Sequence, residues 1–286
     1  MLMKPDQHAI DALARMALLE DAPWGDLTSD VLVPRDLQIS AQLVAREDGV
    51  LCGEDVFLSA MSQTGSVDVK FLRHDSDSFS AGDVLSDLFG PAHSILRAER
   101  VALNFTQRLS GIATSTAKYV AETAGTKARI VDTRKTTPGL RLLERYAVRC
   151  GGGLNHRFSL SDALLAKDNH LAALRSSRGE NLTTALRAAF GRLSHTTHIE
   201  VEVDALDQIE PVLAAGVDTI MLDNFSIEDL RVGVRQVAGR ANVEASGGVS
   251  LERVREIAST GVDLISVGAL THSVRSIDLG LDFANS

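Results

Sequence analysis

The chain has 286 residues, 44% of them hydrophobic, and a formal charge of -9 at pH 7. That apolar content can fill a buried core and excludes a disordered chain. The acidic balance argues against nucleic acid as a partner, because a phosphate backbone would be repelled by most of the surface.

Cys52 and Cys150 are the only cysteines, too few and too far apart for a disulfide framework or a zinc site, which points to a reducing compartment. The start, MLMKPDQHAIDALARM, has no apolar leader core, and no run of about 18 apolar residues occurs anywhere. The expectation is a soluble cytoplasmic protein with no membrane partner.

Along the chain, Ile10, Leu13, Ala14, Ala17 and Leu18 recur at helical spacing, so a helix is predicted over 6–20. Trp24–Ser29 reads as a loop. Ile39, Ala41, Leu43 and Ala45 alternate with polar neighbours, as do Val67, Val69 and Phe71, and Gly82-Asp83 marks a turn before another strand. These half-buried strands with intervening helices predict an α+β domain over roughly residues 1–112. A long helix over 92–124, interrupted at Ser110-Gly111, leads onward.

Short apolar strands are then predicted at 128–132, 164–167, 198–203, 219–222, 242–245 and 264–267. They alternate with amphipathic segments such as 206–215 and 251–260, which end at Gly216 and Gly261 as C-terminal caps. Strands that look apolar on both faces suit a parallel sheet covered by helices. Six strands are too few for a complete eightfold barrel, so the fold class is α/β, an incomplete parallel barrel over 113–270. A doubly wound sheet is the alternative. Residues 271–286 form a C-terminal segment expected to pack back on the first domain.

The polar residues of this half fall just past successive strand ends: Arg134 and Lys135, Lys167 and Asp168, Glu202 and Asp204, Asp223 and Asn224, Ser246-Gly247-Gly248, and Val267-Gly268-Ala269. Active sites of parallel barrels sit at that face. The stretch 132–170 is locally basic, with Arg134, Lys135, Arg141, Arg145, Arg149, Arg157 and Lys167 beside His156 and His170. Glycines near fixed cations let backbone approach a polyanion closely. Arg141, Arg145 and Arg149, spaced by four, read equally as a solvated helix face.

Ser246–Gly248 and Gly268-Ala269 each precede a helix and present N–H groups to a phosphate. Glu202 and Asp223, on adjacent strand ends, can hold magnesium or sugar hydroxyls, or can merely pair with Lys135 or Lys167. Arg134, His156 and Arg157 offer forked or planar donors that match more than one carboxylate. A strand-end lysine, Lys135 or Lys167, is also how a Schiff-base aldolase works.

The blocks DTRKTTPGLRLLERYAVRCGGGLNHR, LLAKDNH, EVEVD, IMLDN, EASGG and SVGALTHS, with GDLTS near the start and RAERVALNFTQRLSGIAT at 97–114, resemble the quinolinate phosphoribosyltransferase family over nearly the whole chain. The resemblance implies a homodimeric two-domain enzyme, an N-terminal sandwich-like α/β domain followed by an incomplete barrel. It also implies transfer of phosphoribosyl from 5-phosphoribosyl 1-diphosphate to quinolinate with Mg2+, yielding nicotinate mononucleotide, diphosphate and CO2 for NAD synthesis. By motif match, Thr133, Arg134, His156, Arg157 and Lys167 would bind quinolinate, with Arg100 entering from the partner subunit. Lys135, Glu202 and Asp223 would serve catalysis, the two carboxylates also as magnesium ligands. Ser246, Gly247, Gly248, Val267, Gly268 and Ala269 would take the phosphate. Two positions depart from the family pattern: Ser159, where glycine is frequent, and Ala166, in place of a larger aliphatic residue, with a change in the pocket wall expected.

Overall fold

A computed structural model describes residues 4–178 and 181–283. In chain order its elements are α1 (Gln7–Asp21), α2 (Leu27–Leu32), β1 (Gln38–Ala45), β2 (Gly49–Val50), α3 (Glu54–Ser62), β3 (Asp68–Phe71), β4 (Ser78–Phe79), β5 (Val84–Pro91), α4 (Ala92–Glu122), β6 (Arg129–Val131), α5 (Arg141–Cys150), β7 (Leu164–Ala166), α6 (Asp168–Arg178), α7 (Leu182–Phe190), β8 (Ile199–Val203), α8 (Ile209–Ala215), β9 (Thr219–Asp223), α9 (Ile227–Val237), β10 (Asn242–Ser246), α10 (Leu251–Ala258), β11 (Leu264–Ser266), α11 (Ala269–His272) and β12 (Leu279–Phe283).

The chain divides into two compact units. One holds the chain up to Ala117, then Thr136–Gly152, and the residues from Ser273 on; the other holds Lys118–Lys135 and Gly153–His272. The sequence division put 136–152 in the barrel. Local chemistry ties this segment to the first unit instead: the Tyr146 hydroxyl donates to Asp75 at 2.9 Å, and a Cβ at Gly151 would fall 2.3 Å from the Ala113 carbonyl.

In the first unit an antiparallel sheet runs in the order β12-β1-β5-β3. Its alternating strands put Ala41, Leu43 and Ala45 inside, where Leu43, Leu51, Phe57, Leu85, Ile95 and Ile112 are fully buried. Each large aliphatic side chain removed from water in this way contributes about 1.5–3 kcal/mol. The C-terminal strand β12 pairs with β1 from Ala41–Phe283 to Ala45–Leu279.

Two local expectations are corrected here. Residues 27–29 are helical: the Asp26 carboxylate accepts from the N–H groups of Thr28 and Ser29 at 3.1 and 3.2 Å and so starts α2. The helix α4 is continuous through Ser110-Gly111. Glycine stands there for contact rather than for a break, since a Cβ at Gly111 would lie 2.2 Å from the Arg275 carbonyl oxygen. Gln107 fixes the same segment, accepting at its carbonyl from Ile277 N and donating from its side chain to Leu279 O.

The second unit is a parallel sheet in the order β6-β11-β10-β9-β8-β7. All six predicted strands are present. Among the described residues no strand pairing joins β6 to β7, so the sheet is not closed by hydrogen bonds. Leu154 covers the β6 edge: its N–H donates to Ile130 O and its carbonyl accepts from Asp132 N. Helices follow the strands, and α8 ends at Gly216 in the left-handed conformation (φ 91°).

Register separates the two faces of this sheet. Glu200 lies beside Leu165 and Thr219, Glu202 beside Met221, and Glu244 beside Met221 and Leu264. One face therefore carries Glu200, Glu202, Thr219, Asp223, Glu244, Ser246 and Ser266. The other carries Val201, Val203, Ile220, Leu222, Val243, Ala245 and Ile265, all buried. The strands are not apolar on both faces, as their composition implied; one face is largely polar and supplies the site.

Candidate active site

With the strands parallel, every strand carboxyl end opens at the same edge, and the candidate residues stand along it in sheet order. Thr133–Lys135 follow β6, Val267–Ala269 follow β11, Ser246–Gly248 end β10, Asp223 ends β9, Glu202 precedes the end of β8, and Lys167 follows β7. All belong to the second unit. Arg100 is exposed on α4 in the first unit. Arg141, Arg145 and Arg149 lie half-buried on α5, also in the first unit.

Lys135 is held by its backbone. Its N–H donates to Thr133 Oγ1 at 3.1 Å, and its carbonyl accepts from Thr271 Oγ1 at 2.7 Å. Its stem passes over Gly268, where a Cβ would approach Lys135 Cδ to 3.1 Å. Ala269 opens α11. Val267 differs from its neighbours: its side chain is fully buried and its N–H already donates to Val131 O.

At Gly247 (φ 87°) an added Cβ would sit 2.2 Å from Asn224 Oδ1, while Gly248 (φ 57°) faces open space apart from Arg253. Asn224, itself left-handed (φ 58°), donates from its N–H to Ser246 O and from its side chain to Asp223 Oδ2. The β9 and β10 loops are thus interlocked, and Asp223 is oriented by that lock.

Lys167 forms an ion pair with Glu202. A carboxylate facing this lysine differs from the apolar wall that a Schiff-base amine needs. Around Glu202, a small cleft is lined by Asp168, Asp204 and Asp223. Its charged groups are all carboxylates, the donors a hard divalent cation prefers, but among the described residues no three of them converge within 4.8 Å.

The loop 151–157 brings in the remaining donors. Asp132, fully buried, accepts from Asn155 Nδ2 at 2.6 Å and from His156 N at 2.7 Å. Arg157 donates from Nη1 to Ala163 O at 3.0 Å. Burial and the charge of Arg134 both lower the pKa of the Arg157 guanidinium. The two guanidiniums are therefore near enough for one charge to act on the other.

His156 Nε2 lies 2.9 Å from Glu200 and 3.7 Å from Glu244. Burial opposes its charged form, but the Glu200 hydrogen bond and the charges of Glu244, Glu200 and Asp132 outweigh that and raise its pKa. Glu244 is pushed up to about 8, first by burial and then by the neighbouring charge of Glu200. An acid whose pKa is higher folded than unfolded binds its proton more tightly when folded, so stability falls as pH rises from about 5 through 8. Thermal melts of Glu244→Gln should show a flatter pH dependence across that window than the parent; an unchanged slope would count against a neutral Glu244.

Glu244, Asp132, Asn155 and Thr271 were not singled out in the sequence, whereas Asn224 was, as a strand-end residue. Glu244 had a visible signal, an acid inside an otherwise core-like strand. Ala166 pairs with Val201 and so lies on the helix-facing side, away from the polar face where a pocket change was expected. Ser159 is engaged locally, its N–H and hydroxyl both directed to Asp162 at 2.7 and 3.1 Å.

An open parallel sheet with cations, carboxylates and glycine loops along its carboxyl edge defines an α/β protein of the incomplete-barrel class. The chain belongs to the quinolinate phosphoribosyltransferase family: that family's N-terminal domain matches residues 26–110 and its C-terminal domain residues 112–282. The nicotinate-nucleotide pyrophosphorylase (carboxylating) of Mycobacterium leprae is 44% identical over 275 residues, covering 94% of this chain and 95% of the relative. A probable enzyme of the same name from Bacillus subtilis is 42% identical over 266 residues, covering 92% and 90%. The solved nicotinate-nucleotide pyrophosphorylase of Francisella tularensis superposes with a TM-score of 0.92 at 38% identity, covering 99% of each chain.

Proposed function

We propose that this protein transfers phosphoribosyl from 5-phosphoribosyl 1-diphosphate to quinolinate with decarboxylation, giving nicotinate mononucleotide, diphosphate and CO2 in de novo NAD synthesis. Beside the family membership, the observations that carry this reading are two guanidiniums, Arg134 and Arg157, near enough for one charge to act on the other, and strand ends that offer glycine loops and carboxylates. A planar dicarboxylate matches the first and a diphosphate sugar the second.

Arg134, Arg157, Lys167 and Thr133 hold the two quinolinate carboxylates, with His156 at the pocket floor. The quinolinate ring nitrogen is the nucleophile. Its lone pair forms the bond to the anomeric carbon as the bond from that carbon to diphosphate breaks and the electron pair leaves on oxygen. Positive charge develops on the sugar and negative charge on the leaving group, so fixed cations placed there lower the barrier. Lys135 is that cation. Once alkylated, the ring nitrogen draws electrons from the adjacent carboxylate bond, CO2 departs, and the ring carbon takes a proton.

Glu202 and Asp223 would hold magnesium together with the substrate's phosphates. The metal, when bound, neutralises diphosphate charge. Lys167 on Glu202 and Asn224 on Asp223 keep both carboxylates aimed before substrate arrives. Ser246–Gly248, Gly268 and Ala269 take the phosphate.

A homodimer supplies Arg100 across its interface. Trp24, Leu27, Val31 and Leu32 are exposed by 96, 79, 71 and 74%, an apolar cluster that a second copy would cover. No helix among the described residues is long and apolar enough to cross a membrane, and two free buried thiols suit work in the cytoplasm.

Incubation with quinolinate, 5-phosphoribosyl 1-diphosphate and magnesium should give nicotinate mononucleotide and CO2 in equal amounts, with nicotinate inert as a parallel substrate. Product from neither acid would sink the proposal. Arg157→Lys keeps the charge but loses the fork, and should raise the quinolinate KM by roughly tenfold or more, about 1.5–3 kcal/mol of charged hydrogen bonding. Parent-like steady-state kinetics would remove Arg157 from that role.

A further inference from the structure

His156 has both ring nitrogens engaged by protein atoms. Its Nδ1 accepts from the Arg157 N–H at 2.7 Å, and its Nε2 meets Glu200 Oε2 at 2.9 Å with Glu244 Oε1 at 3.7 Å. A nitrogen that accepts a hydrogen bond carries no proton, so the neutral ring has its proton on Nε2, aimed at Glu200. The seat beneath is deeply buried: Glu200 is 4% exposed and Glu244 1%. Neither serves the chemistry assigned above.

Two carboxylates in such a place are costly unless they do something for their neighbours. Each has its Oε1 buried without a hydrogen-bond donor from the protein. A proton retained on Glu244, whose pKa burial and Glu200 push up, gives that pair one donor to share. Glu200 and Glu244 come from β8 and β10, flanking β9, whereas Asp132 at the end of β6 takes the His156 N–H from the opposite edge of the sheet. Together they pin the loop at residue 156 from several strands.

We propose that Glu200 and Glu244 are positioning residues for quinolinate binding, holding His156 in the Nε2-protonated tautomer so that its Nδ1 fixes the Arg157 backbone and aims the Arg157 guanidinium. The inference rests on the reading of this pocket as the quinolinate site. It adds that the dicarboxylate reader is built through an imidazole standing on two buried acids. The acids themselves never touch substrate, which would repel them. A small displacement of a positioned donor is expensive, so the effect falls on one substrate alone.

The test has two arms. In the free wild-type enzyme at alkaline pH, where the ring is neutral despite its raised pKa, nitrogen-15 spectra of labelled histidine, with the His156 signal assigned by its loss in His156→Gln, should show a proton on Nε2 and an unprotonated Nδ1. A proton on Nδ1, or an Nε2 that carries none, overturns the proposal, and this arm stands even if the enzyme makes no nicotinate mononucleotide. In steady-state kinetics, Glu200→Leu removes the acceptor and should raise the quinolinate KM roughly ten- to a hundredfold with the 5-phosphoribosyl 1-diphosphate KM unchanged. Glu200→Gln, which keeps an acceptor oxygen, should restore most of it, and Glu244→Leu, which removes the second acid, should raise the quinolinate KM in the same selective way. Equal effects on both substrates, or no rescue by glutamine, would mark Glu200 as a packing residue only. Should Glu200→Leu fail to fold, the wild-type spectrum and Glu200→Gln still decide.

Discussion

Replacing Lys135 with alanine should lower kcat roughly a hundred- to a thousandfold, the loss that follows removal of one preorganised group facing developing charge. Quinolinate affinity should stay close to that of the parent. The expectation follows from how the residue is mounted. Backbone hydrogen bonds on both sides, to Thr133 and from Thr271, hold the Lys135 main chain, and Gly268 leaves room for the stem to cross the phosphate loop. The ammonium is thereby placed from a rigid strand end, and little reorganisation is needed as charge builds on the departing diphosphate. Lys135→Arg keeps charge but changes reach and should recover only part of the rate. Single-turnover rates measured at saturating substrates separate this from weaker binding. A Lys135→Ala enzyme whose chemical step is within a few-fold of the parent would show that the leaving group is stabilised by other groups.

Much of this site could be read from residues alone, for identifiable reasons. Strand ends are punctuated by glycine and by charge, so Arg134, Lys135, Lys167 and Ser246–Gly248 announce themselves along the chain. Pairing of strands is nonlocal, and there the reading failed. In the sequence Glu200 and Glu202 look equivalent, both on the same face of β8. Three-dimensional register sends Glu202 to Lys167 near the carboxyl edge and Glu200 down to His156, and no spacing rule distinguishes them. Glu244 joins that pair only because β9 separates β10 from β8 by a single strand.

The misread glycine at position 111 has a similar origin. Within a helix, glycine costs about 1 kcal/mol relative to alanine, so a break was the natural local reading. The structure shows a close approach of Arg275, far away in the chain, as the reason that no side chain fits there. The short helix at 27–32 failed for the opposite reason. Its signal was local and present, an Asp26 cap ahead of Thr28 and Ser29, but Trp24-Gly25 beside it reads more strongly as a turn.

The interlock of the β9 and β10 loops predicts a sharp difference between two adjacent glycines. Both are left-handed, so alanine at either position carries a backbone penalty of about 1–2 kcal/mol. At Gly247 a second cost is added, because the new methyl would lie 2.2 Å from Asn224 Oδ1 and 2.8 Å from Asn224 N. The second of these is backbone, which cannot swing aside as a side-chain tip can. Relief requires Asn224 to move, and Asn224 holds Asp223 at 2.7 Å. Overpacking of this kind costs about 1–3 kcal/mol, and its displacement reaches a carboxylate assigned to the diphosphate sugar. Gly247→Ala should therefore raise the KM for 5-phosphoribosyl 1-diphosphate by at least about tenfold and lower the melting temperature. Gly248→Ala, whose nearest neighbour is the flexible tip of Arg253 at 3.6 Å, lacks the clash with Asn224 and should raise that KM less. If the two variants bind the diphosphate sugar equally well, Asp223 does not depend on the Asn224 lock, and the phosphate end of the site is set by the β10 loop alone.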